Sequence, residues 1–182
     1  MGYLPMISSH KTIEDCLAIF KPVIGVDLEK YKNHVYRVFL NCLLLDSEST
    51  NEEKYAIAAV FHDIGIWTNH TIDYLEPSIE HARTFLNATS KENWEAEISL
   101  MIYWHHKPGK YTGDHSHTVE IFRKADWIDV SLGVKTFGLN RQKIKDAGKN
   151  FPNKGFHLFL IRKLFRNFLS HPLKPLPMFK TH

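Results

Sequence analysis

The stretch AVFHDIG, residues 59–65, places a histidine and an aspartate side by side at the end of a strongly apolar segment. A polar pair in such a setting costs free energy unless it is hydrogen-bonded, ion-paired or bound to a metal. His62 and Asp63 are therefore either a satisfied pair in the core or part of a metal site. The remaining histidines and aspartates of the chain bear on this choice.

Helical periodicity extends on both sides of this stretch. Thr50 and Glu53 form a capping box that predicts the start of a helix ending at Gly65. The other predicted helices run from the Thr12–Asp15 capping box to Pro22, from Asp27 to Leu45, from Pro77 to Leu86, from Ser90 to Pro108, from His117 to Leu132 and from Gly155 to Leu169. Alternating strand patterns are scarce, so we expect an all-α, single-domain helical bundle over residues 1–182.

Composition and charge narrow the functional classes. The 182 residues are 43% hydrophobic and carry a formal net charge of +3, which is too small to indicate a nucleic-acid binder. Only Cys16 and Cys42 are present, and each falls in a helical pattern, which disfavours a disulfide framework. The sequence shows neither a signal peptide nor a membrane-spanning run. We therefore expect a cytoplasmic protein with a small-molecule partner and no membrane partner.

Other helices also carry a polar residue on an apolar face. His34 lies between Tyr31 and Val38 at helical spacing, so it shares their inward face, where the alternative is a buried, hydrogen-bonded histidine. His81 can point inward beside Ile79, or it can be a surface residue. Its position alone leaves both interpretations open.

Two further positions complete the set. His105 continues the apolar stripe of its helix, whereas His106 is rotated by roughly 100°, so we favour His105 as the inward ligand. Asp126 falls four residues after Phe122 on an apolar face. Asp129 is the rival aspartate, and we expect it to form a salt bridge with Lys or Arg.

A shared metal is the economical explanation for these polar side chains on five helices. The candidate ligands are His34, His62, Asp63, His81, His105 and Asp126. Imidazole and carboxylate ligands without thiolate suit one or two transition metal ions, with iron or manganese favoured and nickel, cobalt or zinc compatible. We expect these ions to be divalent or mixed-valent.

The order of these residues resembles the HD superfamily, whose name denotes the adjacent pair seen here as His62-Asp63. The resemblance covers about residues 31–130, and a C-terminal helix with a Pro-containing tail follows over 154–182. It implies an all-α HD-type fold in which His34, His62 and Asp126 hold one metal. His81 and His105 would hold a second, and Asp63 would bridge both.

One departure from this resemblance concerns phosphate binding. Many relatives carry a lysine three residues after the aspartate of the pair, and this chain has Ile66 at that position. Nearby replacements are Arg83, Lys107, Lys110 and Lys124, which are either substrate-binding residues or ordinary solvated charges.

The resemblance implies a phosphohydrolase acting on a nucleotide or another small phosphate ester. Asp63, together with a metal-bound water, would be the catalytic group, since metal ions lower the pKa of bound water. The rival is a diiron oxygenase, because the six-ligand pattern also resembles myo-inositol oxygenase and phosphonate-cleaving oxygenases. A third class is a binding module whose metal site is vestigial or purely structural, and the intact set of all six ligand types argues against it.

Overall fold

The computed structural model describes residues 8–170, and these residues form helices without a strand. The helices are α1 (Lys11–Ile24), α2 (Leu28–Leu45), α3 (Glu52–Phe61), α4 (Gly65–Thr68), α5 (Leu75–Ala88), α6 (Glu95–Trp104), α7 (Ser116–Val130), α8 (Arg141–Asn150) and α9 (Phe156–Ser170). Short 3₁₀ turns precede α2, α3 and α6. The all-α prediction is confirmed. The proline-containing tail lies outside the described residues.

The core lies around α2 and α3. Helix α2 packs against α7 and α3, α6 packs against α5 and α7, and α1 covers α3. Every residue from Tyr55 to Phe61 in α3 is buried, because α3 has neighbours on all sides. Helix α2 is likewise buried from Asn33 to Cys42. Polar side chains on these two helices are therefore held inside the bundle, where each needs a partner.

The helix boundaries differ from the sequence expectations in instructive ways. The first helix does not stop at Pro22 but continues to Ile24, which is buried, although Pro22 lacks a backbone N–H to donate. The helix predicted to reach Gly65 ends at Phe61, so the His62-Asp63 pair lies in the turn that follows it. Helix α8 was not predicted, since of its ten residues only Ala147 is buried and the apolar pattern is weak.

The predicted N-terminal caps are wrong at four helices. The residues that precede α1, α3 and α6 are His10, Asn51 and Trp94 rather than Thr12, Thr50 and Ser90, and Asp27 at the start of α2 makes no side-chain cap hydrogen bond within the described residues. Asp27 instead accepts hydrogen bonds from Lys30 at 2.7 Å and from the Trp67 indole at 3.1 Å. At the start of α2, an ion pair with Lys30 and a hydrogen bond from α4 thus take the place of the expected cap.

Both cysteines are buried, unpaired thiols, as expected from their helical positions. Burial is the main cause that raises the pKa of Cys16 to about 12 and that of Cys42 well above its ordinary value. No helix among residues 8–170 is both long enough and apolar enough to cross a membrane.

Candidate metal centre

Six histidine and aspartate side chains meet where α2, α3, α6 and α7 pack together. We call them the histidine–aspartate cluster, and its members are His34, His62, Asp63, His105, His106 and Asp126. Two triplets have one potential ligand atom from each residue within 4.8 Å of the others, namely His34-His62-Asp63 and Asp63-His105-His106. Asp126 faces both triplets, at 3.7 Å from His34 Nε2 and 3.4 Å from His106 Nδ1. Asp63 belongs to both triplets and so lies between them.

Three imidazoles of the cluster are anchored in the same way. His34 Nδ1 lies 2.7 Å from an Asp129 carboxylate oxygen, and His62 Nδ1 and His105 Nδ1 lie 2.8 and 2.6 Å from the backbone carbonyls three residues earlier. Each Nδ1 donates its proton to that acceptor, so in the neutral ring Nε2 carries a lone pair. The Nε2 atoms of His34 and His62 lie 2.9 Å apart. Two lone pairs at this distance require a proton or a metal cation beside them.

Several buried atoms at the centre lack a hydrogen bond within the described part of the chain. They are Asp63 Oδ1, both carboxylate oxygens of Asp126, and His105 Nε2. An unsatisfied buried polar atom costs about 1–3 kcal/mol, and more if it is charged. Their convergence on one point therefore fits a cation, and the imidazole and carboxylate donors suit a transition metal.

The pKa shifts of the cluster show the same need for positive charge. Burial alone would raise the pKa values of the Asp63 and Asp126 carboxyls, yet the facing histidines hold both below their ordinary value. Burial opposes the charged form of His62, but the carboxylates of Asp63 and Asp126 raise its pKa to about 9. Burial and the nearby His106 lower the pKa of His105 to about 4. A proton on His62 thus occupies a place that a metal ion would take.

Residues outside the cluster fix the orientation of its rings. Asp129 also accepts hydrogen bonds from Arg37, at 2.5 Å from Nε and 3.0 Å from Nη2. The salt bridge expected for Asp129 is therefore present, and the same carboxylate orients His34. The Tyr74 hydroxyl lies 2.5 Å from His106 Nε2. Such outer hydrogen bonds set the tautomer and aim of metal-binding histidines.

Gly65 brings α4 close to the start of α5. A Cβ atom at position 65 would lie 2.5 Å from the backbone oxygen of Tyr74. The Gly65 amide also donates to the Ser78 hydroxyl at 3.0 Å. The absence of a side chain at Gly65 therefore lets Tyr74 reach His106.

The structure gathers five of the six sequence-predicted ligands and places the sixth elsewhere. His81 on α5 lies against Phe20, with ring centroids 5.4 Å apart, and belongs to neither triplet among the described residues. His106 occupies the cluster instead. His106 reaches the cluster from the turn that follows α6, where the centroids of the His105 and His106 rings lie 3.8 Å apart.

The four basic residues considered for substrate binding make other contacts. Arg83 pairs with Glu80 and with Glu95, the latter at 2.7 Å. Lys107 is buried, with its ammonium 4.6 Å from the centre of a tyrosine ring. Lys110 and Lys124 line a separate polar groove beside the start of α7.

One cavity of about 170 Å³ reaches the cluster at His106 and Asp126. We call it the apolar cavity, because most of its wall is aliphatic: Ile66, Ile72, Val130, Leu160, Ile161 and Leu164. The remaining lining residues are Tyr74, Trp127 and His157. Ile66, at the position where many relatives carry lysine, thus contributes an aliphatic side chain to this wall. Sequence reasoning did not identify this cavity, because its wall comes from segments far apart in the chain.

Comparison with known proteins gives one match. The family described as HD domain matches residues 31–131, which is more than half of the chain and includes the whole histidine–aspartate cluster. No curated protein and no solved structure matches the chain. Helix α9, with its part of the cavity wall, lies beyond the matched residues.

Proposed function

Since the chain belongs to the HD domain family of metal-dependent phosphohydrolases, we propose that it hydrolyses a nucleotide or another small phosphate ester with a metal-activated water. A bound divalent ion would lower the pKa of that water and neutralise charge on the phosphoryl group. The observation that carries the proposal is the set of anchored imidazoles facing the Asp63 and Asp126 carboxylates, of which three oxygens have no hydrogen-bond partner in the described residues.

The side chains divide into two sets for this chemistry. His34, His62 and Asp126 would hold one ion, and His105 with His106 would hold a second, His106 taking the place that the resemblance gave to His81. Asp63 belongs to both triplets and would bridge them. Its buried Oδ1 has no hydrogen-bond partner among the described residues, and its carboxylate would act together with the metal-bound water as the catalytic group.

Metal content tests this proposal first. Protein purified without a metal-affinity step should contain at least about one equivalent of transition metal, most readily iron or manganese. His62→Gln should lose metal, whereas His70→Asn should not, because His70 is exposed and its positive φ of 52° suits asparagine. Metal-free wild-type protein that takes up none on reconstitution would contradict the proposal and favour a binding module.

Hydrolysis is the second arm of the test. Inorganic phosphate release from a panel of nucleotides and simple phosphate esters should require the metal and disappear in His62→Gln. Protein that retains metal but releases phosphate from no member of the panel would contradict the hydrolytic function.

A diiron oxygenase is the second candidate function. Two features favour it: the triplets share Asp63, and the cavity beside them is aliphatic without a lysine or arginine among its described lining residues. The discriminating measurement is oxygen consumption by iron-loaded protein alongside phosphate release. Oxygen uptake coupled to substrate loss without hydrolysis would replace the phosphohydrolase proposal.

A further inference from the structure

The size of the apolar cavity limits what can approach the cluster. Its volume is about 170 Å³. An engineered apolar cavity of roughly 150 Å³ holds benzene, whereas pockets for larger organic ligands measure about 300–1,000 Å³. The cavity therefore fits one aromatic ring or a short branched alkyl group more closely than it fits a nucleoside.

The charge of the cavity limits the ligand further. Among its described lining residues there is no lysine or arginine, and the only carboxylate is Asp126 of the cluster. Both nitrogens of His157 already have partners: Nε2 donates to the Asp129 carbonyl at 2.8 Å, and Nδ1 contacts the Asn153 amide. Nothing in this wall neutralises a second or third phosphate. The cavity is therefore compatible with a ligand that carries a single phosphate group, held at the metal centre.

Trp127 offers one specific polar contact. It lines the cavity, and its indole Nε1 is buried without a hydrogen-bond partner in the described residues. The Lys135 ammonium lies 4.0 Å from the centre of the Trp127 ring system. A buried donor without an acceptor costs about 1–3 kcal/mol, so a ligand oxygen placed at Nε1 would recover that cost.

Helix α9 supplies the wall opposite the bundle. Leu160 and Leu164 of α9 line the cavity, and both lie beyond the family-matched residues. The helix is attached to the cluster at its first residue, because the buried Phe156 ring stacks on His34 with centroids 4.1 Å apart. The shape of the cavity is thus a property of this chain's own C-terminal helix.

We propose that the apolar cavity selects the monophosphate ester of a small apolar alcohol, with Trp127 donating a hydrogen bond to a ligand oxygen. This inference rests on the proposed phosphohydrolase function and names its substrate class. The reaction consumes one water, breaks the phosphorus–oxygen bond to the organic group and yields the free alcohol and inorganic phosphate.

Calorimetric titration of metal-loaded protein with benzylphosphonate, which cannot be hydrolysed, tests the cavity without turnover. Benzylphosphonate should bind at least about 10-fold tighter than methylphosphonate, since one or two buried carbon groups already account for that factor. It should also bind tighter than adenosine monophosphate. Equal or tighter binding of adenosine monophosphate would overturn the inference.

Substitutions of cavity residues test whether the tighter binding of benzylphosphonate depends on the cavity. Leu164→Ala should weaken benzylphosphonate binding about 10-fold, and Trp127→Phe should weaken it at least about 10-fold, as expected for a hydrogen bond to a charged phosphonate oxygen. Leu158→Ala is the matched control, because Leu158 lies on the same helix, is 51% exposed and does not line the cavity. Equal effects of Leu164→Ala and Leu158→Ala would overturn the inference.

Phosphate release separates the failure of this inference from the failure of the proposed function. Faster hydrolysis of benzyl phosphate than of adenosine monophosphate supports both. Faster hydrolysis of the nucleotide overturns the substrate class and leaves the phosphohydrolase function standing. Binding of benzylphosphonate without release of phosphate from any ester overturns the phosphohydrolase function, and with it the assignment of an ester substrate.

Discussion

The histidine–aspartate cluster and the α9 wall of the apolar cavity adjoin each other but differ in the contacts that their side chains make. Each histidine that faces the centre is anchored through its second nitrogen, and the whole cluster lies within the family-matched residues 31–131. Apart from His157, the described α9 residues that line the cavity are aliphatic; they lie outside the matched range, and Ile161 is 61% exposed. Chemistry and selectivity are therefore assigned to different parts of the chain.

This difference shows where substitutions act. A substitution in the cluster alters buried groups that are hydrogen-bonded or ion-paired with one another, so we expect it to change the affinity for metal directly. A change in the α9 wall alters shape and leaves the ligands in place. Phe156 is the exception, because it belongs to α9 and contacts His34.

The largest expected effect comes from this shared residue. Phe156→Ala should lower the free energy of unfolding by about 3–5 kcal/mol, because it empties a fully buried aromatic site. Urea unfolding measures the change. Phe165→Ala is the matched control on the same helix, where a ring that is 61% exposed should cost no more than about 0.5 kcal/mol. Similar values for both variants would show that α9 is not fastened to the cluster.

We expect an effect of intermediate size from a substitution of Asp129, whose carboxylate contacts His34 Nδ1. Asp129→Asn should weaken metal binding about 10–100-fold, because it removes the charge that orients the His34 ring. Competition with a chelator measures the affinity. Glu120→Gln is the matched control, since Glu120 is equally buried on α7 and pairs with Arg123 at 2.6 Å. An equal loss of metal affinity in both variants would mean that general destabilisation, rather than ring orientation, is responsible.

The smallest effect is expected at Arg83, which the sequence singled out as a candidate phosphate ligand. Arg83→Ala should change the free energy of unfolding by less than about 1 kcal/mol, because its pairs with Glu80 and Glu95 lie at the surface. The KM for a simple phosphate ester should remain unchanged. A raised KM would return Arg83 to the substrate site and extend that site well beyond the apolar cavity.

The sequence predicted the parts of the protein that depend on helical periodicity. The all-α fold follows from apolar stripes, and the positions of His34 and Asp126 follow from polar residues interrupting such stripes. Both side chains are buried, as that reasoning required. A polar residue on an apolar stripe need not be a ligand. Asp129 lies one turn after Asp126 on α7, and its carboxylate orients the His34 ring.

Features that depend on helix ends and distant contacts were not predictable in this way. His106 reaches the cluster from the turn after Trp104, and a periodic pattern does not report where a helix ends. His81 has the helical phase of an inward residue, yet packing places it against Phe20. The cavity joins residues from α4, α7 and α9, and only the tertiary structure brings these together.

Gly65 shows how the packing of two helices restricts a residue that carries no functional group. A methyl group there would collide with the Tyr74 backbone and displace the phenol that contacts His106. Mutational tolerance at position 65 should therefore resemble that of a metal ligand, although glycine binds nothing. In a saturation screen for activity, this position would register as essential for reasons of space alone.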